Sequence, residues 1–193
     1  IIDYNADERI GFGYLQVNTM NGKRHSSAKA FLSPFKNRKN LEIVVQARVT
    51  KININPKTKR AESVVFLHNR KKYTIKTKKE IILSAGCISS PQLLMLSGVG
   101  PAKHLRKMGI PVIKNLRVGD NIHDHLTFIG LVFTVKTTGV TAPADRINLK
   151  NVIDWLGHGR GPLSLPSSTE SIAFVKTDAS EEKRDDPDLE IAL

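Results

Sequence analysis

The sequence predicts a mixed α/β (α+β) fold, and three observations carry that expectation. Between residues 41 and 76, short alternating runs are separated by turn signals, the pattern of a β-meander. Next, Glu80-Ile-Ile-Leu-Ser84 is apolar on successive residues, as in a strand covered on both faces. That run passes through Ala85-Gly86 directly into a helical pattern, the junction of a strand-to-helix unit.

The elements follow in order. The first forty residues are mixed, with Gly11-Phe-Gly-Tyr14 and a turn signal at Asn21-Gly22. A short helix is expected from Ser27 to Phe35, ended by Pro34. The meander comprises Leu41–Gln46, Val49–Ile54, Ala61–His68 and Lys72–Lys76, with turns at Asn55-Pro56 and His68-Asn69. After the Glu80–Ser84 strand, a helix is expected with Ser90 as N-cap and Pro91 at its first position. Leu93, Leu94, Leu96 and Met95 supply its buried face, and Gly98 and Gly100 stop it. A second helix runs from Ala102 to Met108 and closes at Gly109, and Ile110–Ile113 returns extended. Further on come a strand over Leu126–Thr137, a loop over Pro143–Ile147 and a helical turn over Val152–Leu156. Gly157–Pro162 is a break, Asp178–Asp186 a solvated loop, and Ser171–Thr177 and the stretch from Asp188 are strands. The chain opens without Met and stops on an alternating apolar stretch, so it is expected to be an interior piece of a longer protein.

Composition bounds the function. A chain of 193 residues makes one domain or parts of two, and 40% hydrophobic with 25% charged residues is ordinary for a globular protein. The longest strongly apolar stretch, Leu126–Val135, is about half the ~20 residues of a membrane helix, so no membrane span is expected. Cys87 is the lone cysteine and forms no internal disulfide. The formal net charge of +12 admits two readings. One is a basic module that contacts nucleic acid. The other is solvated turns such as Lys57-Thr-Lys-Arg60 and Arg70-Lys-Lys72. No helix-turn-helix, zinc-finger or aromatic RNA-binding motif accompanies the charge, so no nucleic-acid partner is expected.

Two clusters invite chemistry. At the start of the helix after Gly86, free backbone N–H groups favour an anion such as phosphate, although an ordinary strand-to-helix turn has the same spacing. His123-Asp124-His125 invites a metal. On an extended segment both imidazoles share one face, yet two ligands are too few for a closed zinc site, so no metal is expected.

Gly86-Cys-Ile-Ser-Ser-Pro-Gln-Leu-Leu-Met-Leu-Ser-Gly-Val-Gly100 resembles the second signature of the glucose–methanol–choline (GMC) oxidoreductases. Gly86, Ser90, Pro91, Leu93, Leu94, Ser97, Gly98, Val99 and Gly100 match, and Cys87 stands where Ala or Ser is usual. The likeness extends to Gly22-Lys-Arg-His-Ser-Ser-Ala-Lys-Ala-Phe-Leu32, to Asn40-Leu41 with Ala47-Arg-Val49, and to Pro101–Ile113. Gly119-Asp-Asn-Ile-His-Asp-His125 is similar to the family's Gly-x-Asn-Leu-x-Asp-His element, with Ile122 for Leu and His123 for Gln. Gly161-Pro-Leu-Ser164 and Pro187-Asp-Leu-Glu190 are most similar to insect glucose dehydrogenases.

The resemblance implies part of a Rossmann-like FAD-binding domain over 1–125 and the start of a mixed-sheet substrate domain over 126–193. It implies FAD as cofactor, an alcohol or sugar as substrate, and a quinone-type or other electron acceptor. Val49, Ala85 and Gly86 correspond to the residues beside the adenosine end of FAD. Alternation puts Ile52 and Ile54 on one face of their strand and Val49 on the other, which a bulge at Val49 would also explain. The family's Gly-x-Gly-x-x-Gly loop for the FAD pyrophosphate does not occur in this sequence. None of the six histidines lies in the context of the family's catalytic base, so no catalytic residue is assigned. This chain by itself is expected neither to retain FAD nor to oxidise sugars.

Overall fold

The computed structural model describes residues 1–128, 130, 147–165, 170–179 and 186–192. In chain order the strands are β1 (Gly11–Tyr14), β2 (Thr19–Met20), β3 (Lys23–Arg24), β4 (Arg48–Ile54), β5 (Ala61–His68) and β6 (Lys71–Lys76). Helix α1 (Gly86–Leu96), β7 (Val99–Gly100), α2 (Ala102–Lys107) and β8 (Lys114–Asn115) come next. Helix α3 (Leu149–His158), β9 (Ser171–Val175) and β10 (Leu189–Ala192) complete the described strands and α-helices. The chain forms two compact units, Ile1–Glu42 with Val132–Leu193, and Ile43–Leu131. The mixture of helix and strand agrees with the α/β class expected from the sequence.

In the first unit, β9 is the central strand of an antiparallel sheet in the order β1-β9-β10. Its register sets Gly11 opposite Phe174 and Ile191 opposite Ala173. Ile172 on β9 is buried, and the Tyr4 ring packs on Phe174 with centroids 5.5 Å apart. The Asn21-Gly22 turn joins β2 to β3. Its φ values of 51° and 67° make the left-handed pair that matches strand twist in a two-residue hairpin. The helix expected over Ser27–Phe35 is a π-helical turn, Ala28–Leu32, followed by a 3-10 turn that contains Pro34. The helical turn expected at Val152–Leu156 is the longer α3. Asn148 caps it, its side chain accepting the Asn151 N–H at 2.9 Å, and Gly159 closes it at φ 63°.

The second unit is built on the antiparallel meander β4-β5-β6. Asn55 accepts the Lys57 and Thr58 N–H groups in the first turn, and Asn69 and Arg70 take left-handed conformations in the second. The meander has three strands where four were expected, because Leu41–Gln46 is irregular. Glu80–Ser84 is not a strand either, and Ile82 is 80% exposed. Strand propensity becomes a strand only where a neighbour completes the ladder, and neither segment has such a neighbour among the described residues.

Helix α1 begins four residues earlier than Ser90. Gly86 turns the chain at φ 89°, Ala85 occupies the N-cap, and Pro91 lies inside the helix. Of the expected apolar face, Leu93 is buried, Leu94 and Met95 are half-buried and Leu96 is exposed. Helix α2 ends as expected at Gly109, φ 68°, and covers itself with Leu105, which is 0% exposed. The return strand is β8, just beyond the expected Ile110–Ile113, and it pairs in parallel with β7. The strand expected over Leu126–Thr137, the loop over Pro143–Ile147 and the loop over Asp178–Asp186 lie largely outside the described residues.

Candidate cofactor-contacting site

The junction before α1 is open. Residues 84–89 are exposed, and a Cβ placed on Gly86 would meet nothing within 4 Å. Its φ of 89° nevertheless reserves the position for glycine, since a side chain is strained there whatever the space. The Ala85 N–H donates to the Ser90 hydroxyl at 3.1 Å, so Ser90 ties the junction down instead of starting the helix. No side chain caps the first turn of α1 and no carboxylate lies in it. Its first-turn amides are therefore not taken up by a capping side chain, and no carboxylate offsets the positive end of the helix dipole.

The other half of the glycine-rich stretch is closed. Ser97 is 1% exposed, and its hydroxyl donates to the Leu93 carbonyl at 2.6 Å while accepting the Ile52 N–H at 2.8 Å. Helix α1 is thereby fastened to β4 by a polar link. A Cβ on Gly98 would stand 2.6 Å from the Pro111 carbonyl oxygen, and one on Gly100 2.8 Å from Met95 Cγ. Gly86 leaves room on its outer side, whereas Gly98 and Gly100 let neighbouring chain approach.

Val49 lies on β4, opposite Phe66, and is 40% exposed. The register shifts between Val49 and Lys51, so a β-bulge interrupts the ladder there. That bulge was one of the two explanations for the broken alternation. The same unit thus carries Val49, Ala85 and Gly86, with α1 held on β4 through Ser97 and Ile52. No hydrogen bond joins Val49 to Ala85 or Gly86 among the described residues. Sequence reasoning gave Ser97 no role of its own. A serine in the last turn of a helix, just before Gly98, was the available signal.

Among the described residues, no group of three or more His, Cys, Asp and Glu side chains could hold a metal, and no helix is long and apolar enough to cross a membrane. The basic Lys57–Arg60 and Arg70–Lys72 stretches are exposed turns of the meander.

Residues 1–127 match the GMC oxidoreductase N-terminal family model, and the chain belongs to that family. It is 36% identical to the glucose dehydrogenase [FAD, quinone] of Drosophila melanogaster, over 98% of this chain and 30% of that protein. It is 45% identical to the oxygen-dependent choline dehydrogenase of Staphylococcus xylosus, over 64% of this chain and 22% of that protein. The chain therefore spans less than a third of the length of these curated relatives. Among solved structures, the formate oxidase of Aspergillus oryzae superposes with a TM-score of 0.62 at 21% identity, covering 87% of this chain and 29% of that one. That likeness supports the same fold.

Proposed function

We propose that this chain supplies part of the FAD-contacting body of an oxidoreductase that acts on the CH–OH group of an alcohol or sugar. The observation that carries the reading is the open Ala85-Gly86 turn at the uncapped start of α1. Its chemistry suits the group: exposed backbone amides for polar atoms, and no side chain at Gly86 to fend off a flat ring. Ala85 and Gly86 would lie against the adenosine end of FAD, and the backbone of Val49 beside the bulge would contact the adenine. Residues 1–125 would contribute to the FAD-binding domain, and 126–193 would begin the substrate domain. The family membership and the names of the relatives support this reading.

The flavin, when bound, supplies the hydride acceptor for oxidation of the alcohol. The residues of this chain hold and orient, through Ser90 fixing the Ala85 amide and Ser97 fixing α1. No residue of this chain is assigned to deprotonate the substrate hydroxyl, and electrons would pass onward to a quinone or another acceptor.

The test is Gly86→Val in the full-length enzyme, with Gly109→Val as a control for backbone strain, since Gly109 also has positive φ and open space. Gly86→Val should lower flavin affinity about tenfold or more, read as the flavin-to-protein absorbance ratio during dialysis. Gly109→Val should keep its flavin. Equal flavin content in both variants would remove the assignment. Glucose- and choline-driven reduction of a soluble quinone would then separate sugar from alcohol as substrate.

A further inference from the structure

Apart from the cofactor region, the first unit contains a cleft of about 470 Å³ between the β2–β3 hairpin and the C-terminal end of α3. Its volume falls within the range of small-ligand sites. Lys23, Arg24 and Lys29 line it, together with His25 and His158, and no carboxylate does. The floor is the half-buried Trp155, with Lys23 Nζ 5.6 Å from its ring centroid. Met20 and Leu156 add apolar wall.

The cleft is held in shape by its own backbone. Trp155 Nε1 donates to the Gly22 carbonyl at 2.8 Å. A Cβ on Gly22 would stand 2.3 Å from the Gly159 carbonyl oxygen, and one on Gly159 2.6 Å from that of Asn21. Hairpin and helix end therefore meet at a distance only two glycines allow. Lys29 donates to the Arg24 carbonyl at 3.1 Å. The backbone of the cleft is thus set before binding, whereas the exposed Lys23 and Arg24 side chains on its rim become ordered when a ligand binds.

We infer that this cleft binds a small organic phosphate ester, the phosphate on the Lys23–Arg24 rim and the organic part against Trp155. The C-terminal end of α3 opposes an anion with roughly half a negative charge, against three formal positive charges on the lining side chains. The positive charges prevail, and a dianionic phosphate matches them better than a single carboxylate. The planar fork of Arg24 suits phosphate oxygens. The aromatic floor and apolar wall favour an ester over the inorganic ion. This inference does not rest on the flavin assignment.

The experiment titrates the full-length protein with ribose 5-phosphate, inorganic phosphate, ribose and a single-stranded oligonucleotide. Binding is followed by calorimetry and by the emission of Trp155, the one tryptophan of this chain, assigned through Trp155→Phe. Ribose 5-phosphate should bind saturably and more tightly than inorganic phosphate, while ribose should not bind. Lys23→Gln and Arg24→Gln should each weaken the ester about tenfold or more at unchanged melting temperature. Absent saturation, or an affinity indifferent to both variants, would overturn the inference. So would an oligonucleotide that depends on Lys23 and Arg24 and is not displaced by the ester, since the cleft would then be part of a macromolecular surface.

Discussion

The Ser97 hydroxyl joins two elements that the sequence separates by 45 positions: it takes the Ile52 N–H at 2.8 Å and gives its own proton to the Leu93 carbonyl. Ile52 and Ser97 are both buried, so water cannot replace either bond. Among the described residues β4 is an edge of its sheet, and Ser97 satisfies one of the amides that the edge leaves over.

Ser97→Ala should therefore destabilise the protein by about 1–3 kcal/mol, the cost of a buried donor without an acceptor. Denaturant unfolding of the full-length protein measures it. A change below about 0.5 kcal/mol, the size of an ordinary surface substitution, would mean the Ile52 N–H finds another partner.

Two glycines with nearly equal φ should respond differently to alanine. Gly22 and Gly109 sit at 67° and 68°, so each substitution carries about 1–2 kcal/mol of left-handed strain. Gly109→Ala meets open space and should cost no more than that. Gly22→Ala meets the Gly159 carbonyl and should add about 1–3 kcal/mol of overpacking. Paired thermal melts of the two variants test the difference, and equal shifts would contradict the contact.

Thr177 donates twice to Asp188, from its hydroxyl at 2.6 Å and its amide at 2.7 Å. The hydroxyl bond first and the amide bond second hold the carboxyl below its ordinary range. A carboxylate with a depressed folded pKa adds stability above its unfolded pKa. That contribution is lost as pH falls through the folded value. Acid unfolding between about pH 4 and lower values should therefore be shallower in Asp188→Asn than in the parent protein. Parallel acid titrations followed by circular dichroism check this. Identical slopes would show the pair to be too exposed to matter.

What the sequence revealed was local. Asn21-Gly22, the turn before Arg70, and Gly109 were readable because each conformation depends on the residue that adopts it. The meander strands β4 to β6 were readable because each pairs with its sequence neighbour. Leu41–Gln46 and Glu80–Ser84 misled because apolar β-formers look alike whether or not a neighbouring strand exists. Strand β1 escaped notice since its partner, β9, lies about 160 positions further on. The helix start was misplaced because Ser90-Pro91 has the chemistry of an N-terminus, while Gly86 makes the turn. Of the candidate site, Gly86 was legible as a turn glycine, whereas the bond from Ala85 to Ser90 and the link from Ser97 to Ile52 required three-dimensional placement.

The outer strand of the meander carries part of the chain's basic character. All of β6 is exposed, and Lys71, Lys72 and Lys76 lie along it, with Lys78 and Lys79 just beyond. An unpaired strand edge is a template on which another copy can stack, and lysines are a common means of blunting it. Two such edges brought together would set ammonium groups against one another. Among the described residues β6 pairs only with β5, so the positive charge on its outer rim would oppose edge-to-edge stacking of two copies.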